Sequence, residues 1–388
     1  MKIRKSQTLE KSFMAIGLMS GTSADGIDAA LIETDGLTIH NLGPSCFIPY
    51  SKDLKETILS FYGKPPGSHA KALSVTLTEK HAEAVSALLD KAQMTADDIN
   101  VIGFHGQTLF HIPPRGKNER GVTFQIGEGE LLASLTKIPV IEQFRINDVA
   151  HGGQGAPLVP LYHQALVRDL SKPLLIINVG GVANVTWVGE GENNLVAFDT
   201  GPGNGLIDDW VYESKCLLWD EGGQIAAKGK VNESLLKKWL MHPYFAQRPP
   251  KSLDRMTFSD CLNDVKTLSF EDGVATLTCF TAVSLQKGID HLPVRPLLCL
   301  VAGGGAHNPT LLRMMETRCG IALKSTSELG WDGDALEAQA FGFLAVRSLK
   351  NLPLSLPGTT GVPYPLTGGK FCHPYSQVEH GGSQKFAV

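Results

Sequence analysis

The chain has 388 residues, of which 43% are hydrophobic and 19% charged, and its formal net charge is −4. That composition supplies a sizeable globular core, and the length suits two domains. There is no basic excess to draw the chain to nucleic acid or to an anionic membrane surface.

Seven cysteines, Cys46, Cys216, Cys261, Cys279, Cys299, Cys319 and Cys372, are scattered and form no Cys-x-x-Cys. A disulfide framework or zinc site is therefore not expected, and a reducing cytoplasm fits. The first residues imitate a signal peptide, with Lys2, Arg4 and Lys5 ahead of the apolar Phe13 to Met19. Glu10 and Lys11 interrupt it, so residues 1–11 read as a loose extension. No apolar run approaches the ~20 residues of a membrane span.

The first informative segment is Ile16-Gly-Leu-Met-Ser-Gly-Thr-Ser-Ala-Asp-Gly-Ile-Asp-Ala-Ala-Leu-Ile-Glu33. It reads as strand, glycine-rich turn, strand. The turn from Gly21 through Thr22, Ser23, Ala24, Asp25, Gly26 and Ile27 to Asp28 holds glycines, hydroxyls and carboxylates but no lysine. Successive backbone N–H groups in such a turn form an anion-binding nest. Asp25 could hold a magnesium ion or its waters. This is a candidate phosphate loop on a hairpin. It is neither the helix-opening Gly-x-x-x-x-Gly-Lys-Ser/Thr loop nor a Gly-x-Ser-x-Gly elbow. An ordinary polar hairpin turn has the same residues.

Two polar clusters follow. Gly103-Phe-His-Gly-Gln-Thr108 comes after a strand expected over 100–104. His105 and His111 suggest a metal pair, but no carboxylate completes a ligand spacing, so hydrogen-bonding or packing roles are expected. The second cluster, Phe144-Arg-Ile-Asn-Asp-Val-Ala-His-Gly-Gly-Gln-Gly-Ala-Pro157, has the polarity of a binding loop or of a plain connector. Arg145 offers a forked donor for carboxylate or phosphate.

The first layout then recurs. Strands are expected over 174–178 and 183–188, joined by Gly180-Gly181. A third, over 195–198, ends at Asp199-Thr-Gly-Pro-Gly-Asn-Gly205, with a helix from Leu206. Chance similarity of hairpins and duplication of one α/β unit both give this pattern. Later, a strand runs into Gly303-Gly304-Gly305, and Asn308-Pro309 opens a helix as cap and first residue. Three glycines let a flat ring or a phosphate lie against backbone. Trp331-Asp-Gly-Asp-Ala-Leu-Glu337 opens a last helix over 335–349, with Asp334 and Glu337 in capping-box spacing. Capping would compete with a chemical role for Glu337. Beyond Gly368 the chain looks like a frayed tail.

The two glycine-turn hairpins and the late strand–Gly-Gly-Gly–helix resemble the fold shared by actin, hexokinase and heat-shock chaperones. More narrowly, the chain resembles the anhydro-N-acetylmuramic acid kinases. The segments that carry this are Gly17-Leu-Met-Ser-Gly-Thr-Ser-x-Asp-Gly26, His105-Gly-Gln-Thr108, Gln125-Ile-Gly127, Phe144-Arg145, Asp148-Val-Ala150 and Gly152-Gly-Gln-Gly-Ala-Pro-Leu-Val-Pro160. Asn178-x-Gly-Gly181, Phe198-Asp-Thr-Gly-Pro-Gly-Asn204, Gly303-Gly-Gly305 and Asp334-Ala-x-Glu-Ala338 continue it to about Pro365.

The resemblance implies a two-domain actin-like ATPase (ribonuclease H-like) α/β fold, with mixed sheets flanked by helices and ATP in the cleft. It places residues 12–145 in one domain, 146–369 in the other and 370–388 in the tail. It implies hydrolytic opening of the 1,6-anhydro bond of 1,6-anhydro-N-acetylmuramic acid and transfer of the ATP γ-phosphoryl to the freed O6, a step in cell-wall recycling. Asp199 would be the base on the water. ATP with Mg2+ would meet residues 21–28, Gly180, Gly181, Asn184 and Gly303 to Gly305. The sugar would meet His105, Gln107, Thr108, Arg145, Gln154, Gly155, Asn204 and Glu337. Expected partners are ATP and a small amino sugar, with a homodimer as candidate assembly.

Four places depart from the family pattern: Gln143 before Phe-Arg, His151 before Gly-Gly-Gln-Gly, Leu253-Asp254 within Pro249-Pro-Lys-Ser-Leu-Asp-Arg255, and Glu128-Gly129 after Gln125-Ile-Gly127. They bear on sugar contacts, not on the phosphate turn or Asp199. Another sugar or carboxylate kinase of this fold and an ATP-driven switch or chaperone are the competing readings. A switch would need a separate peptide-binding domain or polymer contacts, and the short end of the chain disfavours it.

Overall fold

A computed structural model of the chain describes residues 11–64, 67–114, 121–191 and 194–374. All of the extension expected over residues 1–11 except Lys11, and most of the tail, lie outside them. Two mixed sheets carry the fold. The first contains β1 (Phe13–Ser20), β2 (Gly26–Thr34), β3 (Ile39–Pro49), β4 (Val101–Ile112), β5 (Val122–Ile126) and β6 (Val140–Glu142). The second contains β7 (Leu174–Val179), β8 (Val182–Val188), β9 (Leu195–Pro202), β10 (Leu298–Ala302) and β11 (Leu323–Ser325).

The same strand order occurs twice. The first sheet runs β3-β2-β1-β4-β6 and the second β9-β8-β7-β10-β11. In each, three antiparallel strands are followed by two parallel ones. The hairpin likeness read from sequence is thus one unit used twice, and the architecture is the actin-like α/β fold.

Alternation along the strands explains the layers. Ile16 and Leu18 face an outer core covered by the helix Ser68–Ala92, whereas Ala15, just before them, faces the middle of the molecule. In β7, Leu175, Ile177 and Val179 face another outer core, and Leu174 and Ile176 turn inward. Both faces of these central strands are covered, so they read as nearly unbroken apolar runs.

The middle layer contains the helix Leu336–Leu349, apolar almost all round and buried along most of its length. It lies on β1, β2 and β4 of the first sheet although it comes late in the chain. The approach is close because Gly17 and Gly103 lack side chains. A methyl group on Gly17 would stand 1.7 Å from the Ala338 carbonyl oxygen, and one on Gly103 2.0 Å from that of Phe341. Residues 370–372, expected in a tail, instead form a strand, β12 (Lys370–Cys372), paired with β6.

Two local expectations are corrected. The strand expected over 100–104 continues to Ile112, so His105, Gln107 and Thr108 lie within it rather than in a turn after it. Gly106, at φ +72°, absorbs the irregularity in register. The second correction concerns Glu337. The last helix is preceded by Ala335 without a side-chain cap, while Asp334 pairs with His307 at 3.3 Å. Glu337 instead accepts a 3.0 Å bond from Asn178 Nδ2.

Candidate active site

The first turn is held from below. Gln107, fully buried, donates through Nε2 to the Gly21 carbonyl at 3.0 Å and accepts from Ser20 Oγ at 2.6 Å. Tyr62 donates to the Thr22 carbonyl at 2.9 Å. Gln107 is therefore placed as a strut of the turn. Ala24 is buried at φ +52°. Gly26 is a packing glycine, since a methyl group there would meet the Ile48 carbonyl at 2.4 Å. Gly21 differs: an added methyl would meet nothing closer than Ser23 Oγ at 3.7 Å.

The second and third turns meet each other. Asn204 N–H donates to the Gly180 carbonyl at 2.7 Å, and Gly203 N–H to that of Gly181 at 3.0 Å. A methyl on Gly304 would come within 3.6 Å of Asn204 Nδ2. Asn204 thus belongs with the glycine turns. Gly303 and Gly305 are required by packing, because added methyl groups would strike Asn178 and Val179. Gly304, Gly180 and Gly181 have no such demand, their nearest contacts being 3.6, 3.8 and 3.9 Å. Gly21, Gly180, Gly181 and Gly304 together leave room that a side chain would fill.

Asn178, Asn184 and Asp199 pair across β7, β8 and β9 and so share one face of the second sheet. Asn184 Oδ1 is buried without a hydrogen-bond partner in the protein. Such an orphan beside open turns fits a ligand donor.

Asp199 is 8% exposed. Its Oδ2 accepts from Leu253 N–H at 2.7 Å. Burial pushes its carboxyl up to about 7, against the pull of that N–H and of the Arg145 and Lys251 charges. Lys251 is buried beside it, with Nζ 3.0 Å from the Tyr244 carbonyl and 4.3 Å from the centre of that ring. Burial lowers the Lys251 ammonium to about 8, against the Asp199 charge.

The Arg145 charge, which pulls on this carboxylate, is anchored to the first sheet. Arg145 donates from Nε and Nη2 to His105 Nε2 at 3.1 and 3.0 Å and from Nη1 to the Gly155 carbonyl at 2.6 Å. His105 Nδ1 faces the Gly106 carbonyl at 2.8 Å, which makes Nδ1 the donor and keeps the ring neutral. Burial, then the Arg145 charge, hold its pKa well below the usual value. Gln154 Oε1 accepts from Ser252 Oγ at 3.0 Å. The Arg145 charge bears on both Asp199 and Glu337, whose own carboxyl is raised by burial. His105, Arg145, Gln154, Gly155, Glu337 and Asp199 are therefore brought together. Thr108 accepts from Gln125 Nε2 at 3.3 Å, and His111 bonds to Thr123 and the Gln154 carbonyl.

A model of the anhydro-N-acetylmuramic acid kinase family matches residues 13–372. The chain belongs to that family. The kinase of this name from Rhizorhabdus wittichii is 47% identical over 365 residues, 92% of this chain and 98% of that one. The one from Rhodospirillum rubrum is 47% identical over 360 residues, 92% of this chain and 93% of that one. Membership in the anhydro-N-acetylmuramic acid kinase family makes the protein a phosphotransferase that uses ATP. No helix among the described residues is long and apolar enough to cross a membrane.

Site residues missed in the sequence come mostly from one segment. Lys251, Ser252 and the Leu253 N–H surround Asp199, and Arg255 and Asp208 lie by the second turn. The signal available was a lysine directly after Pro249-Pro250 in a half-buried loop. Asp25 pairs with Lys55. Asp208 is pushed up to about 7, first by burial and then by Asp209, with Asp25 and Asp220 adding to it. That excess of negative charge suits a divalent cation. Among the described residues no group of three or more acidic, His or Cys side chains is placed to hold one alone. Magnesium in kinases rests largely on phosphates and waters, so one or two carboxylates suffice.

The raised Asp199 pKa gives an expected pH profile. A base works only when ionised. With its pKa about 7 in the free protein, log kcat/KM should rise with unit slope up to about pH 7 and level above it. Initial rates from pH 5 to 8 test this, and a flat profile over that range would remove Asp199 as the titrating base.

Proposed function

We propose that the chain opens the anhydro ring of 1,6-anhydro-N-acetylmuramic acid with water and passes the γ-phosphoryl of ATP to O6, giving N-acetylmuramic acid 6-phosphate. The observation that carries the reading is the position of Asp199: buried, raised in pKa, and sharing a sheet face with Asn178 and Asn184 beside the open glycine turns. In the step, water oxygen bonds to C1 as the C1–O6 bond breaks, and Asp199 takes the water proton. O6 attacks the γ-phosphorus and ADP leaves. A base with pKa near the working pH is suited to this transfer. Gly21 to Asp28, Gly180, Gly181 and Gly304 cradle the nucleotide through backbone. Arg145 and Glu337 orient the sugar, with His105, neutral and bonded to Arg145, holding the guanidinium in place. Asp25 and Asp208 would hold magnesium, which supplies charge neutralisation on the phosphates.

Purified protein with ATP-Mg and the anhydro sugar should give a product heavier by one phosphoryl group and one water. Glucose offered instead should give none, and efficient glucose phosphorylation would favour the ordinary sugar-kinase reading. The phosphate turn is tested by Gly21→Val. A methyl group on Gly21 would meet nothing closer than Ser23 Oγ at 3.7 Å in the protein alone. The fold should survive while ATP affinity falls roughly tenfold or more by calorimetry, about 1.4 kcal/mol. Unchanged affinity in the folded variant would take this turn out of the site.

A further inference from the structure

Phosphoryl transfer spreads negative charge over the oxygens of the group in flight, and a cation positioned there is worth much of the rate. The first turn contains no lysine or arginine, and nearby Lys55 is paired with Asp25. Arg255 stands over the second turn. A methyl group built on Gly205 would lie 3.1 Å from its Nε, and one on Gly181 3.9 Å from it. Asp209 takes only one arm of the fork, Nη2 to Oδ1 at 2.7 Å. The Nε atom is buried with no partner in the protein. Leaving such a donor unpaired is costly, and it is commonly explained by a ligand that the structure lacks.

The same guanidinium lies close enough for its charge to bear on the Tyr62 phenol, which holds the Thr22 carbonyl of the first turn, and on Asp208. It therefore sits between the two turns. The loop that delivers it also fixes the base. The Lys251 carbonyl accepts from Asp199 N–H at 3.0 Å and Leu253 N–H donates to the Asp199 carboxylate. Arg255 follows two residues later.

We propose that Arg255 is a catalytic residue that binds the transferred phosphoryl group of ATP through Nε and its free arm, and that the 251–255 loop couples this contact to the base at Asp199. This rests on the reading of the cleft as the site of ATP. No bond is made to Arg255 and its proton count does not change. It neutralises charge and is released with the product.

The test uses the full chain with Arg255→Gln, Arg255→Lys and Arg255→Ala. Turnover should fall roughly 10²–10³-fold in Arg255→Gln, the range for loss of one charge-stabilising donor. Arg255→Lys should recover part of it, because a point charge lacks the fork. ADP and sugar affinity, by calorimetry, should stay within about threefold, since neither ligand carries the transferred group. Guanidinium ion added to Arg255→Ala should restore turnover with saturation. A structural role predicts otherwise: a lower melting temperature, equal loss in Asp209→Asn, weaker ADP binding and no rescue. That pattern, or an Arg255→Gln enzyme within about threefold of its parent, overturns the proposal. If Arg255→Gln fails to fold, Arg255→Lys with the ADP comparison decides by the same criteria. A parent that does not phosphorylate the anhydro sugar would instead sink the underlying reading.

Discussion

Asp199→Asn is expected to lower turnover by roughly 10²–10⁴-fold, the usual contribution of a positioned general base. The amide keeps the shape and can still accept from Leu253 N–H, so ATP and sugar affinities should be largely kept. The variant should also be the more stable protein. Asp199 has a folded pKa raised above the unfolded value, so its ionisation costs stability as pH rises through about 7, and protonation relieves that cost below the unfolded value. Asn carries no such charge. Its melting temperature should exceed the parent's by a few degrees at pH 8, the gap closing toward pH 4. Turnover close to the parent's would pass the role of base to Glu337. Loss of ATP affinity instead would point to a metal-holding carboxylate. A lower melting temperature at pH 8 would show that Asp199 serves as an anchor for the 251–255 loop.

The second large effect belongs to the seam between the first sheet and the helix Leu336–Leu349. Gly17→Val would drive a branched side chain into backbone, with its first carbon 1.7 Å from the Ala338 carbonyl oxygen. No rotamer relieves a clash with main chain. The helix must shift away, carrying Glu337 and its bond from Asn178, or the protein unfolds. The expected cost is about 3 kcal/mol or more, at or beyond the upper end for overpacking. It should be read as a large fall in the urea midpoint or loss of soluble protein. Gly103→Val should behave alike, since its methyl position is 2.0 Å from the Phe341 carbonyl. The contrast with Gly21→Val is informative. One glycine is required by the fold and the other only by the ligand, although they lie in the same strand–turn unit. A Gly17→Val protein with an unchanged urea midpoint would show that the helix has another way to pack.

These two glycines show how far the sequence could be read. The hairpins, the late glycine turn and the Asn308-Pro309 helix start were legible because turn chemistry and apolar runs are local. Asn308 does cap its helix, accepting from Leu311 N–H at 2.9 Å. The duplicated strand order was visible only as two similar hairpins, because the order of β4, β6, β10 and β11 is a matter of pairing between distant segments. Return of the helix Leu336–Leu349 and of β12 to the first sheet had no local signal at all. The capping-box spacing of Asp334 and Glu337 misled for the same reason. Asn178, more than a hundred residues earlier in the chain, takes Glu337, and His307 takes Asp334. Gly303 to Gly305 looked like a ligand surface throughout, yet only Gly304 is free of packing demand. Asp199 was legible through its motif. The loop that holds it, Lys251 to Arg255, was not, since its residues gain meaning only when folded over β9.

The central claim is that one buried carboxylate directs water to C1 while O6 takes the phosphoryl group. Single turnover in ¹⁸O-labelled water, quenched early, tests it most directly. A control in which unlabelled product sits in the same water for the same time corrects for exchange at C1. Label is expected on the C1 oxygen of the 6-phosphate and none on the transferred phosphoryl, with no labelled 6-phosphate from Asp199→Asn on that timescale. Label on inorganic phosphate alone, or an unlabelled phosphorylated product with its anhydro ring intact, would contradict it.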